Sequence, residues 1–285
     1  MASLGLWLDD PIKRILSRSY FAELAAMRIH TLALMVDTSR KGWDPKWRQS
    51  TLRELNDLVT ENGMELILTV WPDPVSDYLK AMEEGIDELL EAVPATGVEY
   101  DTEFNWTKRR VKGFKPQRRH GRRQSALDVA GDELVALTAR LKAKHPQIRS
   151  ELTTFTSHTE NGRAADVAPH MDRLMPQAYS VRERTRKGKD WNVPWTHTYG
   201  PGRMQRFTLD RTLLADGDQA EMGCGLAAYD QKWPGRDAAD AMGAAYEAAM
   251  AYDVVEIRYW SSKWILGVRD NKYAAEFLKD LAQRC

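Results

Sequence analysis

Short apolar runs of strand length alternate with longer amphipathic stretches from one end of the chain to the other. That rhythm predicts β/α units around a parallel sheet. Strands are expected at Leu4–Leu8, Thr31–Val36, Glu65–Val70, Gly97–Asp101, Arg149–Thr154, Arg173–Tyr179, Gly223–Tyr229 and Val254–Trp260. Helices are expected in the gaps, around Tyr20–Arg28, Pro45–Asn62, Val75–Ala92, Ser125–His145, Asp210–Asp216, Asp237–Ala251 and Lys272–Gln283, with a short piece near Ala164–Met171. In the second of these, Leu52, Leu55, Leu58 and Val59 form one apolar stripe suited to packing on a sheet, and Asn62-Gly63 supplies residues that tolerate the left-handed conformation at a helix end. An open doubly wound sheet is the rival architecture. It needs a glycine-rich phosphate loop after the first strand, where this chain has Asp9-Asp10-Pro11. Eight strands in about the length of a TIM barrel predict a single (β/α)8 domain over residues 1–285. Two long loops, at about 104–124 and 181–208, then fall on the C-terminal face, where barrels build their sites.

Charge and composition narrow the chemistry. Lys plus Arg is 41 and Asp plus Glu is 41, so no global field draws the molecule to nucleic acid or to an anionic membrane. No stretch of ~18 apolar residues could span a bilayer, and the N-terminus lacks a secretory pattern; a soluble, cytoplasmic product is expected, released outward only by a separate factor. The two cysteines, Cys224 and Cys285, make no disulfide framework, and the six histidines are scattered. No metal or other cofactor is expected. His-Glu-x-x-His, Gly-x-Ser-x-Gly and P-loop patterns are absent, which leaves acid/base work by carboxylates.

The carboxylates are concentrated in Gly97-Val98-Glu99-Tyr100-Asp101-Thr102-Glu103. Strand side chains alternate, so Glu99, Asp101 and Glu103 project to one side, each ~6.6 Å from the next. Three inward acids repel unless protons, hydrogen bonds or a substrate stabilise them. The crowding has a use: Glu103, nearest the mouth, is expected to stay protonated near neutral pH and to donate to a leaving oxygen, while Asp101 stays charged and Glu99, deepest, tunes it. The plainer reading is an ion-paired polar core, with Arg149 or Arg258 as the partners.

This segment resembles the fourth-strand Asp-Gly-x-Asp-x-Asp-x-Glu motif of family 18 glycoside hydrolases, the chitinase-like barrels. The resemblance implies Glu103 as general acid/base, Asp101 as the residue orienting the substrate's acetamido group for attack on the anomeric carbon, and Glu99 in support. Met175-Pro176-Gln177-Ala178-Tyr179 resembles the family's Met-x-Tyr segment, which implies that Tyr179 holds the acetamido carbonyl, and Trp260 resembles the tryptophan under the sugar subsite. Glu99 stands where the family has Asp, Ser180 follows Tyr179 where it has Asp, and Thr69-Val70-Trp71-Pro72 replaces its Ser-x-Gly-Gly. Family 25 lysozymes are a second resemblance, through Asp-x-Glu on the same strand and an Asp on the first, matched by Asp9. Both families act on N-acetylated sugar polymers. The implied activity is hydrolysis of β-1,4 bonds in such glycans, with peptidoglycan first and chitin-like oligomers second. Small size and the lack of a signal resemble single-domain phage endolysins. A barrel that only binds glycans is the alternative of another class.

The remaining strand ends form an acidic and aromatic rim: Asp9, Asp37, Trp71, Trp106, Gln177, Asp230 and Trp260 are expected there, and Asp9, Trp71, Trp106, Gln177, Asp230 and Trp260 are the candidate substrate contacts. Ten tryptophans are many for this length, and Trp191, Trp195, Trp233 and Trp264 also follow expected strand ends. Aromatic faces and carboxylates suit sugars better than phosphates, although a tryptophan there is as often a lid and Asp37 or Asp230 as often a helix cap. Residues 108–123 hold nine Lys or Arg and no acid. Such a run is a solvated segment or an attractor of an anionic polymer such as peptidoglycan; nucleic acid is not expected, because no stacking platform accompanies it.

Overall fold

In the structure, a computed structural model, residues 2–9, 12–37, 43, 46–103, 106, 109–119, 121–155, 167–179, 181–186, 189–194, 201–216, 220–228, 238–266 and 272–284 are described. Eight parallel strands carry the chain around a closed barrel: β1 (Ser3–Leu8), β2 (Ile29–Asp37), β3 (Glu65–Val70), β4 (Gly97–Asp101), β5 (Arg149–Phe155), β6 (Arg173–Gln177), β7 (Glu221–Ala227) and β8 (Glu256–Trp260). Each strand pairs with its neighbours in sequence, and β1 closes on β8 with Ser3 opposite Glu256 and Trp7 opposite Trp260. The expected (β/α)8 barrel is therefore the observed one.

The strands form where β-branched and aliphatic residues run together, and the helices between them bury one face each. Helix Gln49–Glu61 turns Leu52, Leu55 and Val59 inward; helix Ser76–Ala92 does the same with Leu79, Met82, Ile86 and Leu89. Helix Ala126–Lys144 starts at a capping box in which Ser125 and Asp128 satisfy each other's backbone N–H groups. Most of the apolar core lies in this outer shell, between strands and helices.

The barrel interior is a separate, smaller cluster of Trp7, Ala33, Ile67 and Met175, with half-buried Trp260 packed on it. Two glycines make room for its contents. A Cβ on Gly5 would stand 2.3 Å from a Glu256 carboxylate oxygen, and one on Gly225 would stand 2.9 Å from the Trp7 ring. Bulk at either place would expel the side chains that floor the site.

Several expected boundaries change. β6 stops at Gln177 instead of Tyr179, and β7 begins at Glu221, two residues before the expected start, where it pairs with Arg173 of β6 and the two side chains meet at 2.7 Å. The 181–208 stretch is not wholly irregular. It contains an antiparallel ribbon, Val181–Arg186 with Lys189–Pro194, and the first half of a helix, Pro201–Asp216, that was expected only from Asp210. Proline is well suited to the first helical turn, and Gly202 lies against Ala244 and Ala248 of helix Ala238–Met250. The buried face of this helix also carries Gln205, Thr208 and Thr212, so no apolar stripe advertises it. The 104–124 stretch likewise holds a short ribbon, Gln117–Arg119 with Arg122–Gln124. No helix among the described residues is long and apolar enough to cross a membrane.

Candidate active site

β4 sorts its side chains as its alternation requires. Val98 and Tyr100 are buried toward the helices, while Glu99 and Asp101 enter the barrel and Glu103 follows just past the strand end. The three acids do not form one crowded set. They divide into two layers with different partners.

The deep layer is an ion network. Arg258, fully buried, donates from Nη1 to Glu99, from Nη2 to Glu151 Oε2 at 2.8 Å, and from Nε to Glu256 Oε1 at 2.8 Å. Arg149 adds a bond to Glu151 at 2.6 Å, and Arg173 one to Glu256 at 2.6 Å. Glu99 also accepts from the Trp7 indole N–H at 2.7 Å and the Thr69 hydroxyl at 3.0 Å. Burial pushes Glu99 up to about 7 even though Arg258 pulls it down. Burial acts on Glu151 too, but Arg258, Arg149 and Arg173 together hold it below the ordinary carboxylate range. One arginine against three explains why two equally buried glutamates shift in opposite directions. The ion-paired core envisaged as the plainer reading thus exists, built by Glu99 with Arg258.

The upper layer is Asp101, Glu103 and Gln177. The amide of Gln177 donates to Asp101 Oδ1 at 3.3 Å and to Glu103 Oε1 at 3.2 Å, so one neutral side chain spans both acids. Asp101 is buried and Glu103 half-buried, nearer the mouth. The backbone around Glu103 is tied on both sides: Thr102 N–H donates to Thr153 O at 3.0 Å, the Thr154 hydroxyl to Thr102 O at 2.5 Å, and Trp106 N–H to Glu103 O at 3.1 Å. Burial raises Asp101 well above the usual carboxylate range, and the charges of Glu103 and Glu99 raise it further. Asp101 was expected to stay charged; its burial, with an amide in place of a cation beside it, shifts it in the opposite direction. Glu99 does act on Asp101, through its charge.

The other expected contacts separate into those at the mouth and those withdrawn from it. Trp260 lies half-buried at the end of β8, its ring 6.0 Å from that of Trp7 and inclined by 57°. Asp9 is ion-paired with Lys263 at 2.5 Å, and its backbone N–H donates to Ser262 Oγ at 2.9 Å. Tyr179, two residues beyond Gln177, is half-buried against the core. Trp71 is half-buried, and its carbonyl lies 3.1 Å from the Tyr78 hydroxyl. Trp106 is a correction: it is 2% exposed and its indole N–H is used on Pro72 O at 2.7 Å, so it braces the wall and offers no face to a ligand. Trp264 is buried as well. Asp37 is fully buried and accepts from the Tyr78 hydroxyl at 2.5 Å, so it is not an exposed sugar contact. Asp230, Trp195 and Trp233 lie outside the described residues.

Sequence reasoning overlooked Trp7 and Thr69, which donate hydrogen bonds to Glu99. Their inward register on β1 and β3 was the available signal. Among the described residues, no three His, Cys, Asp or Glu side chains are grouped to hold a metal ion.

No protein-family model matches the chain, and no curated protein matches it in sequence. Solved structures do match in shape. The catalytic domain of a hyperthermophilic chitinase from Pyrococcus furiosus superposes with a TM-score of 0.62 at 11% identity, covering 99% of this chain and 94% of that one. A GH113 β-1,4-mannanase gives 0.62 at 13% identity, covering 100% and 98%. A β-mannanase from the blue mussel Mytilus edulis gives 0.58 at 11% identity, covering 100% and 92%. At such identities the likeness establishes the fold: a TIM barrel of the kind found among glycoside hydrolases. Chitinase and mannanases match alike, so the fold does not single out family 18 or family 25.

Proposed function

We propose that this chain is a glycoside hydrolase that cleaves β-1,4 bonds of N-acetylated glycans, peptidoglycan first among them, with Glu103 as general acid/base. The observation that supports this reading best is the Gln177 amide shared between half-exposed Glu103 and buried Asp101 at the C-terminal ends of β4 and β6. Two carboxyls held this close share protons as a unit, and the site can present one to a leaving oxygen while keeping a negative charge beside the reacting carbon.

The resemblance to family 18 supplies the nucleophile in this reading: the substrate's own acetamido oxygen attacks the anomeric carbon, which would restrict turnover to N-acetylated sugars. Asp101 and Glu103, projecting from one strand to one side, are compatible with that role. In this mechanism Asp101 accepts from or donates to the acetamido group as its proton moves, Tyr179 steadies the carbonyl, and Trp260, resting on Trp7, takes the apolar face of the sugar. Glu103 protonates the glycosidic oxygen and then activates the water that completes hydrolysis.

Glu103→Gln tests the assignment. Turnover of purified cell wall should fall by at least about 100-fold with the circular dichroism spectrum unchanged. Retained turnover in that variant refutes Glu103 as the acid. Mass spectrometry of the new reducing ends separates a glucosaminidase from a muramidase, and parallel digestion of chitin oligomers tests the second substrate.

A further inference from the structure

The basic segment after β4 is ordered into a device that the acid/base chemistry leaves unused. Ribbon Gln117–Arg119 with Arg122–Gln124 places Arg118 opposite Arg123 and Arg119 opposite Arg122. Facing residues of an antiparallel pair share a side, with Cβ atoms ~4.5–5.5 Å apart. One face is committed to the protein: Asp132 of helix Ala126–Lys144 accepts from Arg119 at 3.0 Å and from Gln124 at 2.9 Å, and Gln117 bonds Gln124 at 3.2 Å. The opposite face carries Arg118 and Arg123, both exposed, and no acid among the described residues pairs with either. Like charges directly opposite destabilise a ribbon, and a two-stranded ribbon has little stability to lose. Two guanidinium groups held side by side are a fork for an anion to bridge.

The location gives the fork its context. The segment leading to the ribbon is joined to the start of helix Ser76–Ala92, where Ser76 N–H donates to Lys112 O at 3.1 Å, and the ribbon rests on the helix that precedes β5. It therefore stands on the C-terminal side of the barrel, on the side of β3, β4 and β5, from which Glu103 emerges. We propose that the Arg118–Arg123 pair is an anchoring site for carboxylate groups carried by a glycan substrate, at a distance from the bond being cut. This rests on the glycan-hydrolase reading and sharpens it: the preferred polymer is anionic, and neutral chitin-like chains lack the group that the pair binds. Nucleic acid fits less well, because the one described aromatic of the segment, Phe114, packs into the core and leaves no exposed platform for bases.

The test compares the full-length chain with Arg118→Gln/Arg123→Gln by co-sedimentation with wall sacculi stripped of phosphate polymers, and with the same sacculi after carbodiimide amidation of their carboxylates. The double variant should bind untreated sacculi about 2- to 30-fold more weakly, the range for two exposed ion pairs, and amidated sacculi no differently from the wild type. Raising salt from 0.15 M to 0.5 M should erase most of the difference. Arg118→Lys/Arg123→Lys should restore part of the binding, and an unchanged melting temperature shows that the barrel is intact. Equal binding by wild type and the Gln variant overturns the proposal. So does equal weakening on amidated sacculi, or wild-type binding that appears only when phosphate polymers are left on the wall. The binding arm needs no turnover, so a chain that binds sacculi through these arginines yet cleaves nothing counts against the hydrolase alone.

Discussion

Replacing Arg258 by Met keeps most of the buried stem and removes the charge on which the barrel interior is organised. Arg258 meets Glu99, Glu151 and Glu256, all fully buried, and its guanidinium carbon lies 5.3 Å from the Trp7 ring centroid. Arg258 is the cation that Glu99 meets, while Arg149 and Arg173 also serve Glu65 and Glu221, so its loss leaves Glu99 without a counter-charge. Breaking a buried ion pair by removing one partner costs about 3–5 kcal/mol. Glu99, at about 7 in the wild type, rises further once Arg258 no longer pulls it down, so the loss relative to the wild type grows as pH rises past about 7. The variant should therefore lose about 3–5 kcal/mol at high pH and markedly less well below neutrality. Urea denaturation on the two sides of neutrality measures both. A loss below about 1 kcal/mol at high pH, or one that does not change with pH, would refute the argument.

Three further outcomes follow from the site. Gln177→Leu removes the donor shared by Asp101 and Glu103, and at about 1.5–3 kcal/mol for a bond to a charged group it should lower kcat on glycan by roughly 10- to 100-fold; unchanged kcat would show that the amide is a bystander. Asp101→Asn should gain stability relative to the wild type as pH rises from 4 to 8, because a carboxyl whose folded value lies above its unfolded value of 3.8 destabilises the fold increasingly through that window; melting temperatures across the range would show it, with activity lost throughout. Trp106→Phe should cost about 1–2 kcal/mol through the lost buried indole bond to Pro72 while leaving kcat per folded molecule unchanged, and a specific loss of substrate affinity would restore Trp106 to the sugar site.

How far the sequence spoke depends on the range of the interactions involved. β3 and β4 were legible to the residue, because their limits are set by local runs of apolar and alternating residues. The start of β7 was not: Glu221 reads as loop until its partner Arg173, 48 residues earlier, is known. Gln177 was legible as an inward residue near the acids, since period-two alternation fixes its side of β6. The fate of Glu99 was legible only as the plainer of two readings, with Arg149 and Arg258 both open as partners, because the arginine that claims it lies 159 positions away. Trp106 fails for the same reason. A tryptophan after a strand end looks like a ligand platform until the Pro72 carbonyl, 34 residues earlier, is seen to take its N–H.

The two layers also explain why three acids at alternate positions of one strand can serve two purposes. Below, three arginines tie the buried carboxylates together, and Glu99, held by Arg258, accepts from the Trp7 indole. Above, Asp101 meets a neutral amide, and burial, Glu103 and Glu99 all push its proton affinity upward. A guanidinium at the Gln177 position would pull the same proton affinity down, as Arg258, Arg149 and Arg173 do for Glu151. Glu99 joins the layers: pinned by Arg258 from one side, it still carries enough charge, near its value of about 7, to disfavour ionisation of Asp101. The proton-holding pair therefore depends on the network beneath it, and a substitution there should move the pH profile of turnover before it abolishes the fold.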